Sequence, residues 1–160
     1  MWQIASAVLG LGLLAATAAA AAPADPSFDI QLERGACFGS CPTYTVDIQA
    51  GGQVVFTGSG GGRLHTVTCF GERRWRIARS AVTRLQATVD RIGFMGLQAS
   101  YNSRVRDLPM RVVTVTRSGQ TKSVQDLDGM MVGMPQAVVD LETAIDAAAG
   151  VSRCLKHPAA

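Results

Sequence analysis

Four cysteines, Cys37, Cys41, Cys69 and Cys154, follow an uncharged apolar leader, and together these two features constrain the fold most. Ile4 to Ala22 carry no charge, Leu9–Leu14 form an apolar core, and an alanine tract leads to Pro23 and Ala24. An apolar core followed by small residues is the layout of a secretory signal peptide. Residues 1–24 are therefore read as a signal, with cleavage after Ala24 and Asp25 as the new first residue. Cleavage within Ala18–Ala22 is the alternative. Met1-Trp2-Gln3 lacks the usual Lys or Arg, which leaves an uncleaved anchor as the competing reading. An anchor needs about 20 strongly apolar residues, and this core is shorter and dilutes into alanine. No later run is long enough to span a bilayer. The expected location is the periplasm or the cell exterior.

In such an oxidising compartment an even cysteine count implies disulfides. Three pairings are possible, and the reading favours Cys37–Cys41 with Cys69–Cys154. Gly39 lets the short loop turn back, and Pro42 starts an extended segment. In the chain-entropy model the short bridge contributes about 2 kcal/mol and the long one about 4.6 kcal/mol. A redox role for Cys37 and Cys41 is disfavoured. Catalytic dithiols are usually spaced C-x-x-C at a helix N-terminus, whereas here the spacing is C-x-x-x-C between strand-like flanks. Zinc would need more ligands, and His65 and His157 are not at ligand spacing. No metal or cofactor is expected.

Residues 25–160 are read as a single domain. Phe28–Glu33 and Thr43–Ile48 alternate apolar and polar residues, the period of half-buried strands. Ala50–Gln53 is a turn and Val54–Thr57 the returning strand. Gly58–Gly62 lacks the strand-to-helix setting of a phosphate cradle and is read as a plain loop. A strand is expected over Leu64–Phe70, after which Gly71 to Trp75 leads toward a helix. Ser80 is a candidate N-cap for a helix whose stripe is Val82, Leu85, Val89 and Ile92, stopped at Gly93. A loop spans Tyr101–Pro109. Arg111–Thr116 and Thr121–Val124 form a hairpin around Ser118-Gly119. Met130–Met134 is a loop, and Pro135 opens a second helix with Val138, Leu141, Ile145 and Ala148 buried. The expected fold is α+β: an antiparallel sheet of about five to six strands, βββ(β)–α–ββ–α, with two helices packed on one face.

The segments Leu32-x-Arg34, Cys37-Phe38-Gly39-x-Cys41-Pro42-x-Tyr44-x-Val46 and Gly52-x-Val54-x-Phe56-x-Gly58 resemble the opening of the domain of unknown function 6438 family. Tyr101, Asp107-x-Pro109, Lys122-x-Val124, Pro135 and Ile145-Asp146 are similar to its later pieces. Gly51-Gly52 stands where that family has Asp-Gly. The resemblance spans roughly residues 28–147. It implies one domain and brings no activity and no catalytic residue.

Arg73, Arg74, Arg76 and Arg79, with Trp75 among them, form a basic cluster suited to an anionic partner, since guanidinium groups grip phosphate or carboxylate in pairs of hydrogen bonds. The plainer reading is a solvated face with Trp75 tucked into the core. The formal net charge of +3 is ordinary and does not point to nucleic acid. Met130, Met131 and Met134 could bind copper(I) but read better as core filler. No serine or cysteine stands with a His and a carboxylate in a pattern that makes a nucleophile. The expectation is a non-enzymatic exported domain that binds or scaffolds at the cell envelope, with a thiol-redox or small hydrolytic enzyme as the alternative.

Overall fold

A computed structural model describes residues 25–59, 66–105 and 107–156. The leader, His65 and His157 lie outside the described residues, as do Gly60–Gly62.

The sheet has seven strands rather than five to six. They are β1 (Asp29–Arg34), β2 (Thr43–Gln49), β3 (Gln53–Ser59), β4 (Gly71–Arg76), β5 (Ser100–Asn102), β6 (Arg111–Arg117) and β7 (Gln120–Leu127). Their order across the sheet is β4-β3-β2-β1-β6-β7-β5. All pairs are antiparallel except β5 with β7, so the sheet is mixed. Helices α1 (Arg79–Arg91) and α2 (Gln136–Ala149) complete an α+β fold.

Alternation decides which face is buried. Ile30 and Leu32 of β1 lie opposite Ile48 and Val46 of β2 and Val115 and Val113 of β6. All six are buried, as are Val54 and Phe56 of β3. Val82, Leu85 and Val89 of α1 and Val138, Leu141, Ile145 and Ala149 of α2 close over this face. The opposite face carries Gln31, Thr45, Asp47, Thr114 and Ser123 and stays half open to solvent. One apolar face under helices and one polar face in water is what an antiparallel sheet with strict alternation produces.

Three strand expectations and one helix cap need correction. The stretch from Gly71 to Trp75 leads toward α1 as expected, but it does so as a strand: Gly71–Arg76 forms β4, paired residue by residue with β3 from Gln53↔Arg76 to Gly58↔Gly71. Its sequence hides the strand because only Trp75 points inward to any depth. Around Val67, where a strand was expected, the only described pairing is an isolated bridge to Leu155. β5 overlaps the start of the expected Tyr101–Pro109 loop and exists through its pairing with β7. Helix α1 starts at Arg79 with Ala78 as N-cap, so Ser80 sits inside the first turn and caps nothing.

The two ends of the sheet differ. At one end the chain reverses through Ala50–Gly52 and Ser118-Gly119. Ser118 and Gly119 both have positive φ, 49° and 76°, the type I′ geometry that matches strand twist. At the other end, long segments follow β1, β3, β5 and β7.

Candidate functional site

Every exposed large hydrophobic side chain among the described residues sits at that second end. Phe38 lies between β1 and β2, Phe70 just before β4, Val105, Leu108 and Met110 between β5 and β6, and Met130, Met131 and Val132 after β7. Phe38 is 87% exposed and Met131 is 75% exposed. The loops are tied together by their backbones. Gly35 N–H donates to Met110 O at 2.8 Å, and Phe38 N–H donates to Asp107 O at 3.4 Å.

All four cysteines belong to this end or its edge. Cys37 and Cys41 are bonded within the loop between β1 and β2. That bridge lies in the chain between two strands, β1 and β2, as expected. Cys69, just before β4, is bonded to Cys154 in the 3₁₀ turn that follows α2.

Directly beneath the loops lies a charged cluster that the sequence reading did not single out. Arg34 of β1 donates from Nη2 and Nε to Asp146 Oδ2 at 2.6 and 2.9 Å, and Tyr44 of β2 donates its hydroxyl to Asp146 Oδ1 at 2.8 Å. Burial pushes the Tyr44 phenol up, and the Asp146 charge adds to it. Arg111 of β6 pairs with Asp126, its direct neighbour on β7, and its Nε lies 3.2 Å from Glu142 Oε2. Asp126 Oδ1 accepts the Gly129 N–H at 2.7 Å. Glu142 is 1% exposed and Asp126 fully buried. Burial, then the Asp126 charge, push Glu142 up to about 7, against the pull of Arg111 and Arg34.

Local periodicity puts these groups together. Arg34 is in phase with Ile30 and Leu32, Tyr44 with Val46 and Ile48, Arg111 with Val113 and Val115, and Asp126 with Val124. Glu142 and Asp146 lie one helical turn apart, beside Leu141 and Ile145. The signal was therefore present: charges standing at apolar parity at strand ends. Arg34, Cys37, Cys41, Tyr44, Tyr101, Asp107 and Asp146, which carry much of the family resemblance, all fall at this end.

The basic cluster is elsewhere in kind. Arg73, Arg74 and Arg76 are exposed on the edge strand β4, and Arg79 is exposed at the start of α1. Arg74 pairs with Glu72. Trp75 turns inward instead. Its indole N–H donates to Ala149 O at 2.8 Å, Phe56 packs 6.1 Å away, and the Arg153 guanidinium covers its ring at 4.8 Å. The sequence put these five residues side by side; the strand turns Arg74 and Arg76 to the face opposite Trp75, while Arg73 shares its face and stays exposed. Charged side chains on an edge strand also discourage pairing with another chain.

A second carboxylate pair, Asp29 and Asp47, lies on the open polar face. Burial raises Asp29; burial and then the Asp29 charge raise Asp47. Met134 is buried while Met130 and Met131 are exposed, so of the three expected core fillers only Met134 is one. Among the described residues no group of three or more His, Cys, Asp or Glu is arranged to hold a metal ion. No helix among them is long and apolar enough to cross a membrane.

Fold and site together define a two-layer α+β domain with loops cross-linked over one end of an open-faced sheet. The family model for a Domain of unknown function (DUF6438) matches residues 28–149, and the chain belongs to that family. A search of curated proteins finds no match.

Proposed function

We propose that this chain is exported by residues 1–24, works in the periplasm or outside the cell, and binds a protein partner there without catalysing a reaction. The observation that carries the reading is that the eight exposed large hydrophobics among the described residues all fall at one end of the sheet, Phe70 at its β4 edge and the others in the segments after β1, β5 and β7. Scattered apolar side chains are ordinary, but a gathered set rimmed by charge marks an interaction surface. The rim carries both signs, with Glu33, Asp107, Arg73 and Arg104 all exposed. Mixed charge around an apolar centre suits a protein better than an anionic bilayer. The two disulfides support an oxidising location.

Photo-crosslinking in the native host tests this. A crosslinking amino acid at position 38 or 131 is expected to trap one defined envelope protein, and the same group at position 118 is expected to trap none. Adducts with lipid alone, or equal labelling from all three positions, would overturn the reading.

A second reading places an anionic envelope component on β4, where Arg73, Arg74 and Arg76 are exposed in a row. Binding to anionic liposomes would then weaken with salt and vanish on charge reversal at these three positions. Salt-independent binding, or no loss on reversal, removes it.

A further inference from the structure

The charged cluster does not balance. Two guanidinium groups, Arg34 and Arg111, face three carboxylates, Asp126, Glu142 and Asp146. Asp146 is fully matched by Arg34 and Tyr44. The excess negative charge therefore falls on Asp126 and Glu142, which share Arg111. Glu142 has an ion pair at 3.2 Å, yet neither of its oxygens accepts a hydrogen bond from the protein. A buried, uncompensated carboxylate is costly, and a proton is the simplest thing that removes the cost.

Asp126 also has a second task. Its other oxygen holds the Gly129 N–H, the first residue of the 3₁₀ turn Gly129–Val132 that carries Met130, Met131 and Val132. Gly129 is wedged in place: a Cβ there would lie 2.8 Å from Tyr101 Cβ, 2.9 Å from Met134 Sδ and 3.0 Å from Asp126 Oδ1. Asp128 just before it holds a positive φ of 53°. The turn closes on itself through Met131 N–H to Asp128 O at 3.1 Å and Met134 N–H to Gly129 O at 2.9 Å, and Asp126 ties its first residue to β7.

We propose that Arg111, Asp126 and Glu142 form a proton-operated latch that sets the order of the Gly129–Val132 turn and so of the apolar residues it presents. With Glu142 neutral, Arg111 serves Asp126 alone and Asp126 keeps its grip on the turn. With Glu142 ionised, two carboxylates compete for one guanidinium and the turn loosens. The charged groups that act on Glu142 are Arg111 of β6, Asp126 of β7 and Arg34 of β1; Asp146, one turn along its own helix, is answered by Arg34 and Tyr44, and Tyr101 of β5 lies opposite Asp126. Burial above all pushes Glu142 up to about 7, so its change of charge falls near neutrality. The importance of the latch for binding rests on the docking reading above; the latch itself does not.

Hydrogen exchange of the intact domain, read as protection factors, separates the two. Protection of the amides at residues 129–134 is expected to fall about tenfold between about pH 5.5 and about pH 8.5. Glu142→Gln should hold it constant over that range. Asp47→Asn, which removes the other raised carboxylate, should leave the wild-type fall intact. A flat wild-type profile overturns the latch, as does a fall that survives in Glu142→Gln or disappears in Asp47→Asn. Should Glu142→Gln not fold, the carboxyl carbon resonance of Glu142 in the wild type decides instead. A midpoint matching that of the exchange change supports the latch, and one in the ordinary carboxylate range sinks it. None of these measurements needs a partner, so a failed latch and a failed docking surface give different results.

Discussion

At one end of the sheet the chain reverses through Ala50–Gly52 and Ser118-Gly119, and at the other through the cystine loop, the 103–110 segment and the turn after β7. The first end is held by backbone geometry. Gly52 has a φ of 82°, and a Cβ there would lie 2.5 Å from Ile77 O. Ser118 N–H donates to Asp25 Oδ2 at 3.0 Å, and Arg117 pairs with Asp90 of α1. The second end has long segments that local geometry alone cannot order. It uses two disulfides, two arginine-centred ion clusters and backbone ties between loops. A polar short-turn end needs little support because its residues prefer the turn anyway. An end that exposes apolar side chains must be held by cross-links, since nothing drives those side chains to stay out.

The contrast can be broken most severely at the long bridge. Replacing Cys69 and Cys154 by alanine should destabilise the domain by about 4–5 kcal/mol, whereas the same change at Cys37 and Cys41 should cost about 2 kcal/mol. Urea unfolding of the two double variants measures both, and equal losses would contradict the ordering. Next comes Arg34→Ala, which leaves the half-buried Asp146 without its ion pair and should cost about 3 kcal/mol. Tyr44→Phe removes a single hydrogen bond to the same carboxylate and should cost about 1 kcal/mol.

Burial of Glu142 makes stability depend on pH. Its folded-state value of about 7 lies above the ordinary 4.5. Between those two pH values the folded chain keeps a proton that the unfolded chain has released. The stabilising contribution is therefore full below about pH 4.5 and lost as pH rises through about 7, by about 3 kcal/mol at most. Asp29 and Asp47 act in the same direction, so the Glu142 share is the difference between wild type and Glu142→Gln in chemical unfolding series. A parallel pair of profiles would remove Glu142 from the account.

At the short-turn end, Gly119→Ala forces a residue with a Cβ into a φ of 76° and should cost about 1 kcal/mol, read as a lower midpoint in thermal melts. The smallest effect belongs to Phe38→Ser. With its ring mostly in water it should change stability by about 0.5 kcal/mol or less while abolishing the crosslink from position 131. A large stability loss would show that Phe38 is structural.

Much of the architecture was legible because period is a local property. Strands β1, β2, β3, β6 and β7 and both helices follow from alternation and from the 3.6-residue stripe. β4 was not legible, since Gly71-Glu72-Arg73-Arg74-Trp75-Arg76 offers one inward side chain and becomes a strand through pairing with β3. β5 was not legible either, because three residues carry no period and pair with a strand about 25 positions later in the chain. The cluster was half legible. Arg34, Tyr44 and Arg111 stand at apolar parity in their strands, but only contact with α2 shows which carboxylates answer them.

The amino-acid order by itself determined the alternation, the turn chemistry at Ser118-Gly119, the family and an α+β fold with two helices. Tertiary structure alone decided that β4 and β5 are strands, that the exposed apolar residues share one end, and that three carboxylates meet two guanidinium groups beneath them. Periodicity is written in neighbours along the chain. Charge balance and surface patches are sums over residues far apart in sequence, and those sums are set only when the sheet closes under its helices.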